Sequence, residues 1–409
     1  MKPFVERVQI WDPEPEAEKE HVYLQLTRSG AIIALGYALP RARLPGGADH
    51  GFPWLHYRFR SVDGGQTWQL HERNWWDPEK RGRLGSVVDQ ETGEIFVFTQ
   101  GTWPLQDDRG RPMSESWMIA NYRQGRQMGA RHTLESSRDD GQTWTTTDIT
   151  DQFYTYPNAG LAWFIGGGIQ LARGPYKGRL LIPARYFTGD WQEVDPSTHN
   201  ILYHHPALGA VYDDGIGQVA QVLDEQAHNA VIYSDDHGKT WQWGGSSQGF
   251  VGEACIVELA DGSVYMNNRN HDPRSLGYRS WCVSRDGGET FSEFGVHKEL
   301  VEGRCHAAVT RYVDPGTDKL GCLLFSNPAS FEGVNQLHTR EIGSASRRNM
   351  TVRASYDEGK TWPVSRLLSR ECDGRAGYSS LVVLADGTIL CGFGHWAYRF
   401  NLAWLEAGD

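Results

Sequence analysis

The octapeptide SVDGGQTW at residues 61–68 decides the fold, because four similar segments follow it along the chain. All five copies fit the pattern S-x-D-x-G-x-[TS]-[WF], and the other four occupy residues 137–144, 234–241, 284–291 and 355–362. In this pattern the aspartate bonds its own backbone, the glycine takes a positive φ, and the last two residues begin a strand. Each octapeptide therefore predicts a hairpin turn.

Six segments that alternate apolar and polar residues around a glycine turn are interleaved with these octapeptides, as expected of strand pairs. They span residues 27–36, 87–98, 169–184, 257–268, 309–326 and 382–393, and the first five each precede one octapeptide. Four short strands per unit, repeated six times, predict an all-β, six-bladed β-propeller that occupies residues 1–409 as one domain. The segment Val5 to Trp11 is expected to pair beside Phe400 to Leu405, which closes the ring and removes an exposed edge.

Composition excludes several classes of protein. The chain has 409 residues, of which 39% are hydrophobic and 22% charged, and its formal net charge is −11, which disfavours a nucleic-acid binder. The longest apolar stretch, around Ala31 to Leu39, is about half of the ~20 residues that a membrane-spanning helix needs. The N-terminus lacks the apolar core of a signal peptide, so we expect a cytoplasmic location, or secretion if a leader was removed.

Cysteine spacing and loop length complete the general picture. The six cysteines lie in the last 155 residues of the chain without C-x-x-C spacing or a zinc pattern, so neither a metal nor another cofactor is predicted. Two connections, 101–131 and 185–229, are too long for hairpin loops. Both are rich in Tyr, Trp, His and Asp, which favours loops that wall a site; a peripheral insertion or an oligomer contact is the alternative.

The repeats resemble those of the exo-sialidase (neuraminidase) family, whose propellers carry the same turns, there called Asp boxes. Asp boxes indicate a fold rather than a chemistry, because other propellers also have them. Longer stretches are similar to the family in more detail: GFVGEACIVELADGSVYMNNRN (249–270), SRRNMTVRASYDEGKTWP (346–363), GYSSLVVLADGTI (377–389) and the closing strand FNLAWL (400–405).

The resemblance implies roles for particular residues. Tyr378 would be the nucleophile and Glu253 its base, while Arg269 and Arg347 would bind a substrate carboxylate, with Arg348 as the alternative to Arg347. A neutral phenol suits a sugar whose anomeric carbon carries a carboxylate, since an Asp or Glu nucleophile would be repelled by that charge. The alternatives are a structural Tyr–Glu hydrogen bond and arginines that lie on the surface.

The sequence departs from the family in its arginines. Members begin blade one with an Arg-Ile-Pro strand, whereas the matching stretch here is EHVYLQL (20–26), without arginine. The glutamate that supports that arginine is replaced within Gly-Phe-Gly-His (392–395). The absence of the arginine and the absence of its glutamate are consistent with each other, because burial of a carboxylate without its cation costs free energy. Arg41, Arg43 or His395 is expected to supply a third donor from the blade-one side.

The family's general acid, an Asp about six residues before the first Asp box, is also missing, because Leu55 stands there. Asp49 is the preferred substitute, because the loop GGADHG lies between the second and third strands of blade one, where the family places its acid loop; an ordinary polar turn is the alternative. His50 and His56 are the other candidates for this side of the site, as substrate-binding groups or, for His56, as an acid near neutral pH.

These features lead us to expect a retaining exo-glycosidase that hydrolyses a terminal acidic sugar, a sialic acid or a related nonulosonic or ulosonic acid. The missing arginine makes N-acetylneuraminic acid an uncertain substrate. The expected partner is an acidic-sugar glycoside or oligosaccharide, with neither nucleic acid nor membrane. Two alternatives stay open: a non-catalytic carbohydrate-binding propeller, and a sialidase-like lyase or intramolecular transferase.

Overall fold

Six blades, each with four or five strands, surround a common axis, and the number of blades agrees with the prediction from the repeats. The computed structural model describes residues 2–15, 17–40, 55–75, 81–100, 132–152, 163–187, 191–195, 200–205, 209–212, 227–270, 272, 277–303, 305–317, 319–330, 347–371 and 377–408. No helix in these ranges is long and apolar enough to cross a bilayer.

The first three blades follow one another along the chain. Blade one consists of the strands Ala17–Leu26, Ile32–Pro40, Leu55–Ser61 and Gln69–Trp75. Blade two consists of Arg81–Val88, Ile95–Gln100, Thr133–Ser137 and Thr145–Asp148, and the short strand Gly166–Gly167 adds to its inner edge in parallel. Blade three is built from the strands Trp163–Phe164, Ile169–Gln170, Leu180–Phe187, Ala227–Ser234 and Gln242–Ser246.

The last three blades close the ring. Blade four consists of Val251–Glu258, Val264–Asn270, Tyr278–Ser284 and Ser292–Val301. Blade five consists of Ala308–Val313, Leu320–Pro328, Arg348–Ser355 and Val364–Glu371. Blade six consists of Ser380–Val383, Thr388–Phe393, Trp396–Asn401 and, from the other end of the chain, Val5–Gln9. Val5 pairs with Phe400 in antiparallel register, so the predicted closure of the ring is confirmed.

Three short helices of the described residues lie outside the blade strands. Two 3₁₀ helices span Thr150–Gln152 and Gly174–Tyr176. The expected closing strand ends at Asn401, whose side chain accepts a hydrogen bond from the Trp404 backbone N–H and caps the helix Leu402–Glu406. This cap corrects the prediction that the strand continues to Leu405.

The two long connections have different outcomes. Residues 101–131 lie outside the described residues, so their predicted role stays a prediction. The segment 185–229 contains a separate antiparallel sheet, made of the strands Trp191–Asp195, Asn200–His205 and Gly209–Tyr212. Strands therefore form within this segment, where the sequence had predicted a long loop.

The octapeptides form the turns between the two outermost strands of blades one to five. In the first copy, the Asp63 carboxylate accepts hydrogen bonds from the Thr67 backbone N–H at 3.0 Å and its hydroxyl at 2.6 Å. The Ser61 hydroxyl donates to Asp63 at 2.8 Å and accepts from the Gly65 N–H at 2.9 Å. Gly65 has a φ of 83°, which other residues rarely adopt. The side-chain bonds within each turn explain why the turn is readable from sequence.

Apolar clusters between neighbouring blades form the core. Between blades two and three, Phe98 packs edge-on against the octapeptide residue Trp241, with ring centroids 4.8 Å apart. Burial of a side chain such as Phe98 contributes roughly 1.5–3 kcal/mol. Between blades one and two, Tyr23 and Tyr37 belong to a cluster that Tyr378 of blade six joins at the axis. The inner strands are therefore held in fixed positions around the axis.

Three buried histidines make stability dependent on pH. Burial lowers the pKa of His132 and of His297 to about 4, and burial together with Arg279 and Arg269 lowers that of His306 to about 3. An unfolded histidine titrates near 6.5. Below that pH the unfolded chain binds more protons than the folded one, so acid favours unfolding.

We therefore expect the free energy of unfolding to fall as pH drops from about 6.5 to about 4, by about 1.4 kcal/mol per pH unit for each histidine. Urea unfolding between pH 4 and 7.5 measures this. The variant His132→Phe, which keeps a ring beside Phe164, should show a shallower dependence. A stability that does not change over this range would contradict the prediction.

Candidate active site

Blades four, five and six bring four of the predicted site residues to the axis. Glu253 lies near the start of the inner strand of blade four, and Arg269 near the end of the next strand. Tyr378 stands two residues before the inner strand of blade six, and Arg347 directly precedes the third strand of blade five. Residues separated by more than a hundred positions therefore meet in one site.

Tyr378, Glu253 and Arg269 form one hydrogen-bonded group. The Tyr378 hydroxyl donates to Glu253 Oε1. Arg269 Nη1 donates to Glu253 Oε2 at 2.6 Å and to Tyr378 Oη at 3.3 Å. Glu253 is 6% exposed, whereas Tyr378 is partly exposed. The carboxylate is thus fixed by two partners, while a ligand can still reach the phenol.

The surroundings of this group move the pKa values of Glu253 and Tyr378 in opposite directions. Burial raises the pKa of Glu253, but the Arg269 charge, His306 and the hydrogen bonds from Tyr378 and Arg269 outweigh it and hold the pKa well below its usual range. Burial and the nearby Glu253 charge raise the pKa of Tyr378 above its usual value, against the opposing charges of Arg269 and Arg347. At neutral pH the resting site is therefore a protonated phenol beside an ionised carboxylate.

Arg347 approaches Tyr378 from blade five. Its guanidinium carbon lies 5.3 Å from the centroid of the Tyr378 ring, and the residue is only 8% exposed. Gly377 permits this approach, because a Cβ there would lie 2.6 Å from Arg347 Cδ and 2.9 Å from Cys305 Sγ. Arg348, the alternative in the sequence, is exposed on the following strand. Of these two arginines, the structure brings Arg347 to the site.

Two serines fix the position of Tyr378. The Ser379 hydroxyl donates to the Ser326 carbonyl of blade five at 2.9 Å. The Ser380 hydroxyl accepts from the Leu24 N–H at 3.0 Å and donates to the Val22 carbonyl at 3.2 Å, both in blade one. The segment after Tyr378 is therefore tied to both neighbouring blades, which limits movement of the phenol.

Comparison with known protein families identifies the family of this chain. The family model described as a BNR repeat-like domain matches residues 58–391. The chain belongs to this family.

Curated relatives of this BNR repeat-like protein are named sialidases. It is 30% identical to a sialidase of Micromonospora viridifaciens, covering 88% of this chain and 48% of the relative. It is 26% identical to a sialidase of Bacteroides fragilis, covering 81% of this chain and 52% of the relative. The chain thus spans about half the length of these curated relatives, and its resemblance to sialidases holds over most of its own length.

Solved structures share the fold of the BNR repeat-like chain at lower identity. The Hadza microbial sialidase Hz136 has a TM-score of 0.65 at 22% identity, over 94% of this chain and 66% of the other. An intramolecular trans-sialidase from Ruminococcus gnavus has a TM-score of 0.60 at 17% identity, over 94% of each chain. An α-L-arabinanase of Penicillium chrysogenum, at 13% identity, covers 98% of each chain with a TM-score of 0.54. At these identities the likeness concerns the fold.

The residues predicted for the blade-one side of the site have two different outcomes. Asp49 and His50, with Arg41 and Arg43, lie outside the described residues, so their roles stay predictions. His56 is buried in the third strand of blade one, in register with Tyr37 of the second strand. His56 therefore lies two strands outward from the inner strand of blade one. Its predicted role stays a prediction.

His395, suggested as a third donor, has a different partner. Its Nδ1 lies 2.7 Å from the Glu20 carboxylate, which the Trp11 indole N–H and the Glu14 backbone N–H also approach. His395 thus pairs with a carboxylate of the inner strand of blade one, and the suggestion that it approaches Tyr378 is corrected.

Two histidines that the sequence reasoning did not select do lie against Tyr378. The ring centroid of His21 is 4.5 Å from that of Tyr378, and the centroid of His306 is 5.6 Å away. His21 belongs to the stretch EHVYLQL, where the expected arginine is absent. The alternation of side chains along a strand could have identified His21. It places His21 and Tyr23 on the strand face opposite Val22 and Leu24.

The described residues hold no group of three or more His, Cys, Asp or Glu side chains arranged to bind a metal ion. The described residues at the axis offer a phenol, a carboxylate, arginines and the two histidines beside the phenol. Such a set can bind an anion and move a proton from Tyr378 to Glu253.

Proposed function

We propose that this protein is a retaining exo-glycosidase that hydrolyses a terminal acidic sugar, a sialic acid or a related nonulosonic or ulosonic acid. The observation that carries the proposal is the hydrogen-bonded group of Tyr378, Glu253 and Arg269 with Arg347 beside the phenol. The similarity of the protein to sialidases over most of its chain supports the same class of substrate.

In the proposed first step, Tyr378 Oη attacks the anomeric carbon of the sugar. Glu253 takes the phenolic proton, and the bond from that carbon to the leaving oxygen breaks as a general acid protonates that oxygen. Asp49 remains our predicted acid. The product of this step is an aryl glycoside of Tyr378, whereas a carboxylate nucleophile would give a glycosyl ester; the phenol is the nucleophile that suits a carboxylated anomeric carbon.

In the second step a water molecule attacks the anomeric carbon and releases Tyr378. The phenolate recovers its proton from Glu253, and the general acid of the first step accepts the proton of the water. Two inversions give net retention. Arg269 keeps Glu253 ionised. Contact of Arg269 with the substrate carboxylate remains a prediction. Arg347 offers a planar fork to that carboxylate.

The test is release of 4-methylumbelliferone from a panel of α-ketosides of sialic, other nonulosonic and octulosonic acids, with a uronide and a neutral galactoside for comparison. We expect release from at least one acidic sugar and none from the galactoside. Equal release from the neutral sugar would contradict the proposal. Binding of an acidic sugar without any release would instead favour a carbohydrate-binding propeller.

Two neighbouring arginines provide a matched control. Arg347→Ala should raise KM for the acidic glycoside strongly, because a charge-assisted contact is lost. Arg348→Ala removes the same side chain at an exposed position and should leave the kinetics unchanged. Identification of the released sugar by NMR separates hydrolysis, which gives the free acid, from a lyase or intramolecular transferase, which gives a dehydrated or anhydro product.

A further inference from the structure

We propose that His21 supplies the blade-one contact to the carboxylate of the substrate, as a single ring N–H donor opposite Arg347. The inference rests on the proposed function, since it names how that same site holds an acidic sugar. The geometry of the inner strand of blade one sets the position of His21 at the axis.

The inner strand of blade one presents two different faces. Val22 and Leu24 belong to the apolar cluster shared with blade six, while Tyr23 belongs to the cluster shared with blade two. Glu20, on the same side as Val22, pairs with His395. Because side chains alternate along a strand, His21 shares the face of Tyr23 and points toward Tyr378.

His21 is the innermost member of a row that crosses blade one. It pairs in register with Tyr37, and Tyr37 pairs with His56. The His21 ring lies 4.8 Å from the Tyr37 ring and 4.5 Å from the Tyr378 ring, measured between centroids, and the residue is 3% exposed. Its position is therefore fixed by two aromatic neighbours, so little conformational entropy is lost when it binds a ligand.

A substrate bonded to Tyr378 Oη carries its carboxylate on the reacting carbon. The groups packed around the Tyr378 ring are therefore the candidates for contact with this carboxylate. From blade five it meets Arg347, and from blade four Arg269, which is already engaged with Glu253. From blade one it meets His21, whose ring can donate one hydrogen bond but cannot form the two-pronged contact of an arginine.

A specificity consequence follows from this arrangement. A contact to the carboxylate that depends on one ring N–H gives less discrimination than an arginine fork, so the acid should bind more weakly than it would in a site with three arginines. The same ring could instead act only by packing on Tyr378. A pair of ligands that differ in charge alone distinguishes these two roles.

The probes are 2,3-dehydro-2-deoxy-N-acetylneuraminic acid and its methyl ester, titrated up to millimolar concentration by calorimetry. His21→Phe keeps a ring against Tyr378 and removes the N–H donor, whereas His21→Gln keeps an N–H donor without the ring. We expect His21→Phe to weaken binding of the acid about tenfold and binding of the ester less than threefold. His21→Gln should retain most of the preference for the acid.

Each contrary outcome has a separate meaning. If His21→Phe weakens both ligands equally, or neither, His21 does not contact the carboxylate. If Arg347→Ala abolishes the preference for the acid while His21→Phe leaves it intact, the proposed function stands and the role of His21 is refuted. If the unmodified protein binds neither ligand, or binds acid and ester equally, the role of His21 is refuted, while release of 4-methylumbelliferone from the glycoside panel decides the proposed function separately.

Discussion

Replacing Tyr378 with phenylalanine is expected to lower kcat on the best acidic glycoside by several orders of magnitude while the fold stays intact. The substitution removes one hydroxyl and leaves a ring that still packs against His21. Without Oη no covalent intermediate can form, so only the contribution of binding and electrostatics remains. Steady-state kinetics with a 4-methylumbelliferyl glycoside measure the loss.

Tyr398→Phe is the matched control for this substitution. Tyr398 lies in the same blade, stacked on Phe393 with ring centroids 4.9 Å apart, and belongs to the core between blades five and six. Each variant loses one phenolic hydroxyl, but only that of Tyr378 takes part in the proposed reaction. Only Tyr378→Phe should therefore lose activity. A kcat for Tyr378→Phe close to that of the unmodified protein would end the assignment of Tyr378 as nucleophile.

Arg279→Met is expected to cost the most stability of the substitutions considered. Arg279 and Glu302 form a fully buried ion pair with a distance of 2.8 Å between Nη1 and Oε2, and their side chains are 0% and 1% exposed. Glu302 also accepts from the Asn270 N–H, next to Arg269, and from the Cys305 N–H, next to His306, each at 3.0 Å. The pair therefore supports two strand ends that carry site residues.

Removing the cation leaves a buried carboxylate without its charge partner, which costs about 3–5 kcal/mol of unfolding free energy. Urea unfolding measures the effect. Arg285→Met is the control, because Arg285 makes its ion pairs with Asp261 and Glu293 on the surface of the same blade, where such pairs contribute little. Equal loss of stability in the two variants would contradict the view that Arg279 is a buried support of the site.

The parts of the fold that were predictable have local causes. The octapeptide turns follow from short-range hydrogen bonds such as those of Asp63 to Thr67, and the closure by Val5–Gln9 follows from the need to cover an edge strand. The helix Leu402–Glu406 was missed because one cap at Asn401 ends the strand. Strands within the segment 185–229 carry no repeat signal, so the sequence indicated only a long connection.

The candidate site was predictable where a motif carried it. The segments around Glu253 and Tyr378 resemble a known family, and the structure brings both residues together with Arg269. His21 was not selected, because no short motif surrounds it and its place depends on which strand face meets Tyr378. Glu20 and His395 likewise pair across 375 positions of sequence, which composition and spacing do not reveal.

Covalent capture of the sugar on Tyr378 tests the proposed chemistry most directly. A 2,3-difluoro derivative of the preferred acidic sugar should form the glycosyl intermediate and release it slowly, because fluorine beside the anomeric carbon disfavours the charged transition state of hydrolysis. Intact-mass measurement followed by peptide mapping should find one sugar per chain, attached to Tyr378, and none on Tyr378→Phe. An adduct on another residue, or turnover of the acidic glycoside without any adduct, would contradict a tyrosine nucleophile.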